Sequence, residues 1–435
     1  MKLIATIVLL NLINISLIIS QNSIPGDKAS QYYKEAKAIS DRDSSKLWGI
    51  PIYAPTLFIN PQTLEVVSNE MDNEGLFWKD EEIYRGKFPA NKIIANSTTL
   101  FGGKEFTMVI YPLTDEEYSR KVLIIHEMFH YRQPELGLSL PEGVGYNNSH
   151  ADDIQARIYF KLEWNALEKA IEGNDTALCR KYINDALIFR AYRRSLYENS
   201  AVNENLFELH EGLPEYTAHT LCAPSEDALK QQVLLSKERI SNNPSYVRSF
   251  AYFSGLIYGY LLDKTNMEWR KSIKYNGDLG KLLQTAYQTE LPDDINNTQE
   301  KIRKEYDYEA IHKFEIKRKE EKDQLLSLYM EIFTQRPILI LPLSQPNIGF
   351  NPSNVLSLGE QGTVYPDDFR VIDKWGKLTV TKGACLLANN WRQVTVPAGN
   401  MQVEDNLIKT PSWLLELNDE YIVKKAGTNY ILERK

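Results

Sequence analysis

The chain has 435 residues, 43% of them hydrophobic and 25% charged, so it can bury a sizeable core and has length for two or three domains. Its 58 acidic residues outnumber its 50 basic ones, giving a formal net charge of -8, and no long basic block occurs. That excludes the clustered positive charge with which proteins hold nucleic acid.

Residues 1–20 read MKLIATIVLLNLINISLIIS, with Lys2 ahead of an apolar stretch and Ser20 at its end. The pattern predicts a secretory signal peptide and so a secreted or periplasmic protein. Asn11 and Asn14 interrupt the run and count against a permanent anchor. No later segment is apolar over a bilayer's thickness, so no stable membrane insertion is expected after cleavage. Cys179, Cys222 and Cys385 fit neither a zinc knuckle nor a redox pair. In an oxidising compartment Cys179 and Cys222 could pair; buried unpaired thiols are an equal alternative.

Residues 48–113 read as strand-rich. Trp48–Tyr53, Thr56–Ile59, Leu64–Ser68 and Lys92–Thr99 are short runs with β-branched or aromatic residues between turn signals. Asn60-Pro61 separates two of them, as a hairpin connection would. Phe106–Tyr111 is the clearest strand, ended by Pro112. A helix should follow. Thr114 with Glu117 forms a capping box, acidic residues 115–117 suit the positive end of a helix dipole, and Pro134 should stop the helix. Its middle, Val122-Leu123-Ile124-Ile125, is apolar on most faces and should be buried.

Helical spacing recurs in Asp152–Ile171, Thr176–Tyr197, Glu226–Ser241 and Tyr246–Leu262, with Ser149, Asp175 and Gly173 as caps. Residues 297–333 carry mixed charge, as in Lys317-Arg318-Lys319-Glu320-Glu321-Lys322, and read as a solvated connecting helix without chemistry. Beyond Pro337, the runs Ile338–Leu341, Leu378–Thr381, Val394–Val396 and Tyr430–Leu432 predict a small β domain.

The chemistry concentrates in Ile125-His126-Glu127-Met128-Phe129-His130. Four-residue spacing on a helix sets both imidazoles on one face, one turn apart, where both reach a single zinc ion. Glu127 then lies beside the metal, where a general base would take a proton from zinc-bound water. Two histidines and a glutamate are costly to bury in an apolar helix without a partner. Catalytic zinc takes three protein ligands and keeps one position open. For the third, the chain offers Glu211, in Leu209-His210-Glu211-Gly212-Leu213-Pro214-Glu215-Tyr216, or His150, with Asp152 and Asp153 nearby; Glu215 is a fallback, read rather as a supporting carboxylate.

HEMFH followed downstream by EGLPEY resembles the gluzincin metallopeptidases, which include thermolysin and the zinc aminopeptidases. The resemblance covers about residues 100–265. It implies Glu211 as third ligand on a second helix, Gly212 permitting close helix approach, and Tyr216 packed beneath. Tyr252, in Tyr252-Phe253-Ser254-Gly255, matches the Tyr-x-x-Gly segment whose tyrosine helps a developing oxyanion; Tyr246 and Tyr258 are rivals close by. The resemblance also implies that Phe106–Tyr111 is an edge strand able to pair with an extended substrate. No G-x-M-E-N exopeptidase segment is present.

The expectation is therefore an α+β chain: signal peptide 1–20, a zincin-like domain 21–290 with a twisted sheet, active-site helix and helical second lobe, a charged connecting helix 291–335, and an all-β domain 336–435. The implied function is an exported zinc metallopeptidase acting on a peptide or protein substrate, with Zn2+ on His126, His130 and Glu211, Glu127 as base and Tyr252 as electrophilic helper. The rival is a catalytically inactive binding or scaffold protein of the cell envelope.

Overall fold

In the computed structural model, which describes residues 23–89, 92–173, 175–350 and 355–435, the apolar runs of the N-terminal third pair into one six-stranded sheet. The predicted signal peptide lies outside the described residues. The architecture is mixed α+β with a β-rich C-terminal region. Two units divide the chain. The first takes residues through His150, Tyr159–Asn242 and Phe250–Tyr306; the second takes Ala151–Ile158, Asn243–Ser249 and Asp307–Lys435. Among the described residues, no helix is long and apolar enough to cross a membrane.

The first unit opens with α1 (Gly26–Asp43), a helix the sequence reading did not anticipate. The strands are β1 (Thr56–Ile59), β2 (Glu65–Ser68), β3 (Trp78–Asp80), β4 (Ile83–Lys87), β5 (Ser97–Phe101) and β6 (Lys104–Ile110), in the order β3-β4-β2-β1-β6-β5. Side chains alternate between faces. Leu57 and Ile59 join Val66, Phe101, Phe106 and Met108 on one side. Phe58 points to the other, where the Tyr33 ring of α1 stacks on it at 4.6 Å. Trp48–Tyr53 is no strand. The Ser40 hydroxyl accepts from the backbone N–H of Ile52 and of Tyr53, so the side chain of α1 supplies what a neighbouring strand would.

β6 is an interior strand. β1 pairs with it in parallel and β5 antiparallel, so the sheet's free edge on this side belongs to β5. This corrects the expectation of an edge at Phe106–Tyr111.

The following helix, α2, is Glu117–Leu136. Its N-cap is Glu116, whose carboxylate accepts from the N–H of Tyr118 and Ser119; Thr114 instead accepts from the N–H of Glu116 in the turn before it. The helix runs through Pro134 and ends at Gly137 in the left-handed conformation, as helix C-termini commonly do. α3 (Ile154–Glu172), α4 (Thr176–Ser195), α5 (Ser200–Phe207), α6 (Leu213–Cys222), α7 (Glu226–Ser241) and α8 (Phe250–Leu262) follow. Between α5 and α6 the chain makes one π-helical turn, Glu208–Gly212. Cys179, Cys222 and Cys385 are free thiols.

The second unit carries β7 (Ile338–Pro342), β8 (Asn347–Gly349), β9 (Leu356–Ser357), β10 (Thr363–Tyr365), β11 (Phe369–Asp373), β12 (Gly376–Val380), β13 (Cys385–Leu387), β14 (Gln393–Pro397), β15 (Gln402–Glu404), β16 (Leu407–Lys409), β17 (Trp413–Leu417), β18 (Tyr421–Ala426) and β19 (Asn429–Arg434). Two sheets with strand orders β18-β19-β7-β14-β13-β10-β9 and β15-β16-β17-β12-β11-β8 enclose a shared core. Leu339, Leu341, Val394 and Val396 of one sheet meet Val371, Leu378, Val380 and Leu415 of the other, the arrangement of a β-sandwich. The charged segment forms the helix Tyr308–Gln335, whose Tyr329 and Phe333 are buried against Val364 and Leu386.

Candidate metal centre

Two helices and the π turn bring His126, His130 and Glu211 together within the first unit. His126 and His130 occupy successive turns of α2, whose Ile124, Ile125, Met128 and Phe129 are buried and hold the helix fixed. Their Nε2 atoms are 3.2 Å apart. Glu211 Oε2 lies 3.5 Å from the first and 3.6 Å from the second. Metal–ligand bonds of about 2.0–2.1 Å in a tetrahedron separate ligand atoms by about 3.3–3.4 Å, so this triangle has the size that zinc requires.

The other ring nitrogens point away from the triangle. His126 Nδ1 lies 3.0 Å from Glu215 Oε2, and His130 Nδ1 lies 2.8 Å from Gln133 Oε1. Both partners are acceptors, so both rings carry a proton on Nδ1 and turn the Nε2 lone pair inward. Two such lone pairs at 3.2 Å need a proton or a cation between them. Without a cation they hold a proton. Burial opposes charge on His126, but its hydrogen bonds to Glu211 and Glu215 outweigh burial and push its pKa up to about 10. Burial likewise opposes ionisation of Glu211 and Glu215, yet the neighbouring imidazoles hold both below the ordinary glutamate value.

Glu127 is buried beside this cluster, and its Oε2 has no hydrogen-bond partner. Burial drives its pKa above the usual carboxylate value. Among the described residues no lysine or arginine pairs with Glu127 or Glu211. An unpaired buried carboxyl beside three inward-facing donors is costly unless a ligand completes the group. The donor set, the triangle and the orphaned oxygen fit a zinc ion with an attached water.

Glu211 reaches the triangle because of how its segment packs. A Cβ on Gly212 would lie 2.7 Å from the Ala251 carbonyl oxygen and 2.8 Å from Gly255 Cα. Glycine at both positions lets the π turn lie directly on α8. Gly259, one turn on, accommodates the Tyr216 ring: a Cβ there would come within 2.4 Å of it. The close approach anticipated for Gly212 is therefore to α8. It sets Tyr252 beside Glu211, with the hydroxyl donating to Glu211 Oε2 at 2.8 Å and the ring stacked on His126 at 5.6 Å. Burial, and then Glu211, raise the Tyr252 pKa. The rival tyrosines are engaged elsewhere. Tyr258 donates to Glu163, and the Tyr246 ring, in the second unit, lies 3.6 Å from the Arg157 guanidinium.

His150, the other candidate third ligand, is not in the triangle. Its Nε2 is 2.9 Å from Glu204, inside a separate ion lattice. Three participants escaped the sequence reading. Gln133 bonds to His130. His219 supports Glu215, with Nε2 at 3.3 Å from Oε1. His210 has its ring 5.2 Å from that of His130, and its buried Nδ1 has no partner. Gln133 lies three residues after His130, one helical turn on the same face, and that spacing was the available signal for it. His210 could have been read from its place next to Glu211.

Comparison of the chain with models of known families, with curated proteins and with solved structures finds no match.

Proposed function

We propose that this chain is a zinc-dependent metallopeptidase of the gluzincin kind, exported by its N-terminal segment. One observation carries the reading: a His-His-Glu donor triangle with edges of 3.2, 3.5 and 3.6 Å beside a buried carboxyl oxygen without a partner. His126, His130 and Glu211 would hold the ion. When bound, zinc polarises the scissile carbonyl and lowers the pKa of water at the site.

The chain's residues supply the rest. Glu127 accepts the proton of the attacking water at its free Oε2 and returns it to the leaving amine. Burial, which raises its affinity for a proton, suits this shuttle better than an exposed glutamate would. Glu215 accepts the Nδ1 proton of His126 and so fixes the ring with its Nε2 turned to the metal position. Tyr252 turns its hydroxyl from Glu211 toward the carbonyl oxygen as negative charge develops there. The free edge that an extended peptide would join is β5, Ser97–Phe101.

The test pairs metal content with turnover. Protein purified without chelators should carry close to one zinc per chain, because such ligand sets bind tightly; less than about 0.2 would favour an inactive scaffold. Glu127→Gln should keep the metal and lose about 10²- to 10⁴-fold in cleavage of a peptide library. Unchanged turnover in that variant would remove Glu127 from the mechanism.

A further inference from the structure

The geometry points to Gln133 as a positioning residue that ties the orientation of His130 to the π turn presenting Glu211; this rests on the zinc reading above. The constraint originates at the π turn and Pro214. In the π turn the N–H of Leu213 donates to Glu208 O, five residues back, so Leu209 O loses the donor an α-helix would give it. Pro214 has no N–H and so cannot serve the carbonyl of Leu209 or of His210. Two carbonyls are left without their ordinary donors next to the ligand Glu211.

Gln133 reaches across from α2 and serves both. Its Nε2 lies 3.2 Å from Leu209 O and 3.0 Å from His210 O, and the residue is 1% exposed. Carbonyl oxygens only accept, so these two bonds must use the two N–H groups of the amide. The amide cannot be turned over. Its oxygen therefore faces His130 Nδ1, at 2.8 Å, and must accept a proton from it. The Nε2 lone pair of His130 is thereby directed into the donor triangle. The missing N–H of a proline thus selects, through one amide, the tautomer of a ligand on another helix.

The experiment separates capping from positioning. Gln133→Met removes both roles; it should lower unfolding stability and weaken zinc binding, read by chelator competition, by about 10- to 100-fold. Adding Pro214→Ala restores a backbone N–H for the His210 carbonyl. Stability should then recover while zinc affinity stays low, because His130 still lacks its acceptor. Should Gln133→Met not fold, Gln133→Glu gives the mirror result: an acceptor for His130 remains, so zinc affinity holds, while the carbonyls lose their donor and stability falls. Affinity that recovers together with stability in the double variant, or that is lost in Gln133→Glu, overturns the proposal. A wild-type chain that takes up no zinc instead overturns the metallopeptidase reading. In that case ¹⁵N shifts of the neutral His130 ring still decide for Gln133: a proton on Nδ1 supports it, and one on Nε2 overturns it.

Discussion

Two buried charge clusters share one stretch of helix and are balanced in opposite ways. Glu204 and Glu208 face a lattice in which Arg190, Arg193 and Arg194 meet Glu163, Glu204, Glu208 and Asp278. Three and seven residues past Glu208, Glu211 and Glu215 face imidazoles inside the protein together with the Tyr252 hydroxyl on Glu211, and among the described residues their one cationic side-chain contact besides histidine is that of Glu215 with the largely exposed Arg239. In the first cluster every carboxylate has a guanidinium beside it. In the second, Glu127 has nothing. A buried cluster that carries its own counterions is complete as folded; one that presents lone pairs and an orphaned carboxyl is complete only with a ligand. The π turn marks the changeover from one to the other.

Breaking the compensated cluster should have the largest effect on folding. Arg193 is fully buried between Glu163 and Glu204, with its guanidinium 3.6 Å from the Phe160 ring. Arg193→Met keeps most of the volume but leaves two carboxylates short of a partner. Chemical unfolding should show a loss of about 3–5 kcal/mol, the usual cost of removing one member of a buried pair. A change below about 1 kcal/mol would mean that Arg193 is not needed to compensate these buried carboxylates.

The open cluster should respond to metal instead. Zinc at about a hundredfold excess over its dissociation constant should stabilise the wild-type chain by about 2.7 kcal/mol. Glu211→Ala should lose that increment and His150→Ala should keep it, since His150 belongs to the lattice through Glu204. Arg193→Met should also keep it, above a lower baseline. If His150→Ala abolished the zinc effect and Glu211→Ala did not, the two clusters would have exchanged roles.

How much of this was legible in the sequence follows the range of the interactions. The pair His126 and His130 was legible because helical spacing alone puts both on one face. Glu211 was legible only through the resemblance of its segment. The strand Phe106–Tyr111 was correctly read as a strand, yet its interior place in the sheet depends on pairing with Thr56–Ile59, some fifty residues earlier in the chain. The lattice stayed hidden because Arg190, Arg193, Glu204 and Glu208 look like a solvated face until their burial is known. Gln133 stayed hidden because its meaning depends on the π turn that ends at Gly212, two residues before Pro214. Pattern reveals contacts along one element; contacts between elements need the fold.

The finest distinction between the clusters concerns acid. Asp278 caps the helix Leu279–Ala286 by accepting from the N–H of Lys281, and lies 3.1 Å from Arg194. Burial opposes its ionisation, but Arg190 and Arg194 outweigh burial and hold its pKa at about 2. A carboxylate whose folded pKa is depressed stabilises the fold at any pH above its unfolded value, near 3.9, and that stabilisation is lost as pH falls toward the folded value. Asp278→Asn keeps a good capping side chain and removes only the charge. The variant should therefore be about 2 kcal/mol less stable than wild type near neutral pH, with about half of that difference gone by pH ~3. Metal should not alter the gap, because the lattice needs no ligand. A gap that stayed constant down to pH ~3, or that closed when zinc was added, would show that the two clusters are not electrostatically separate.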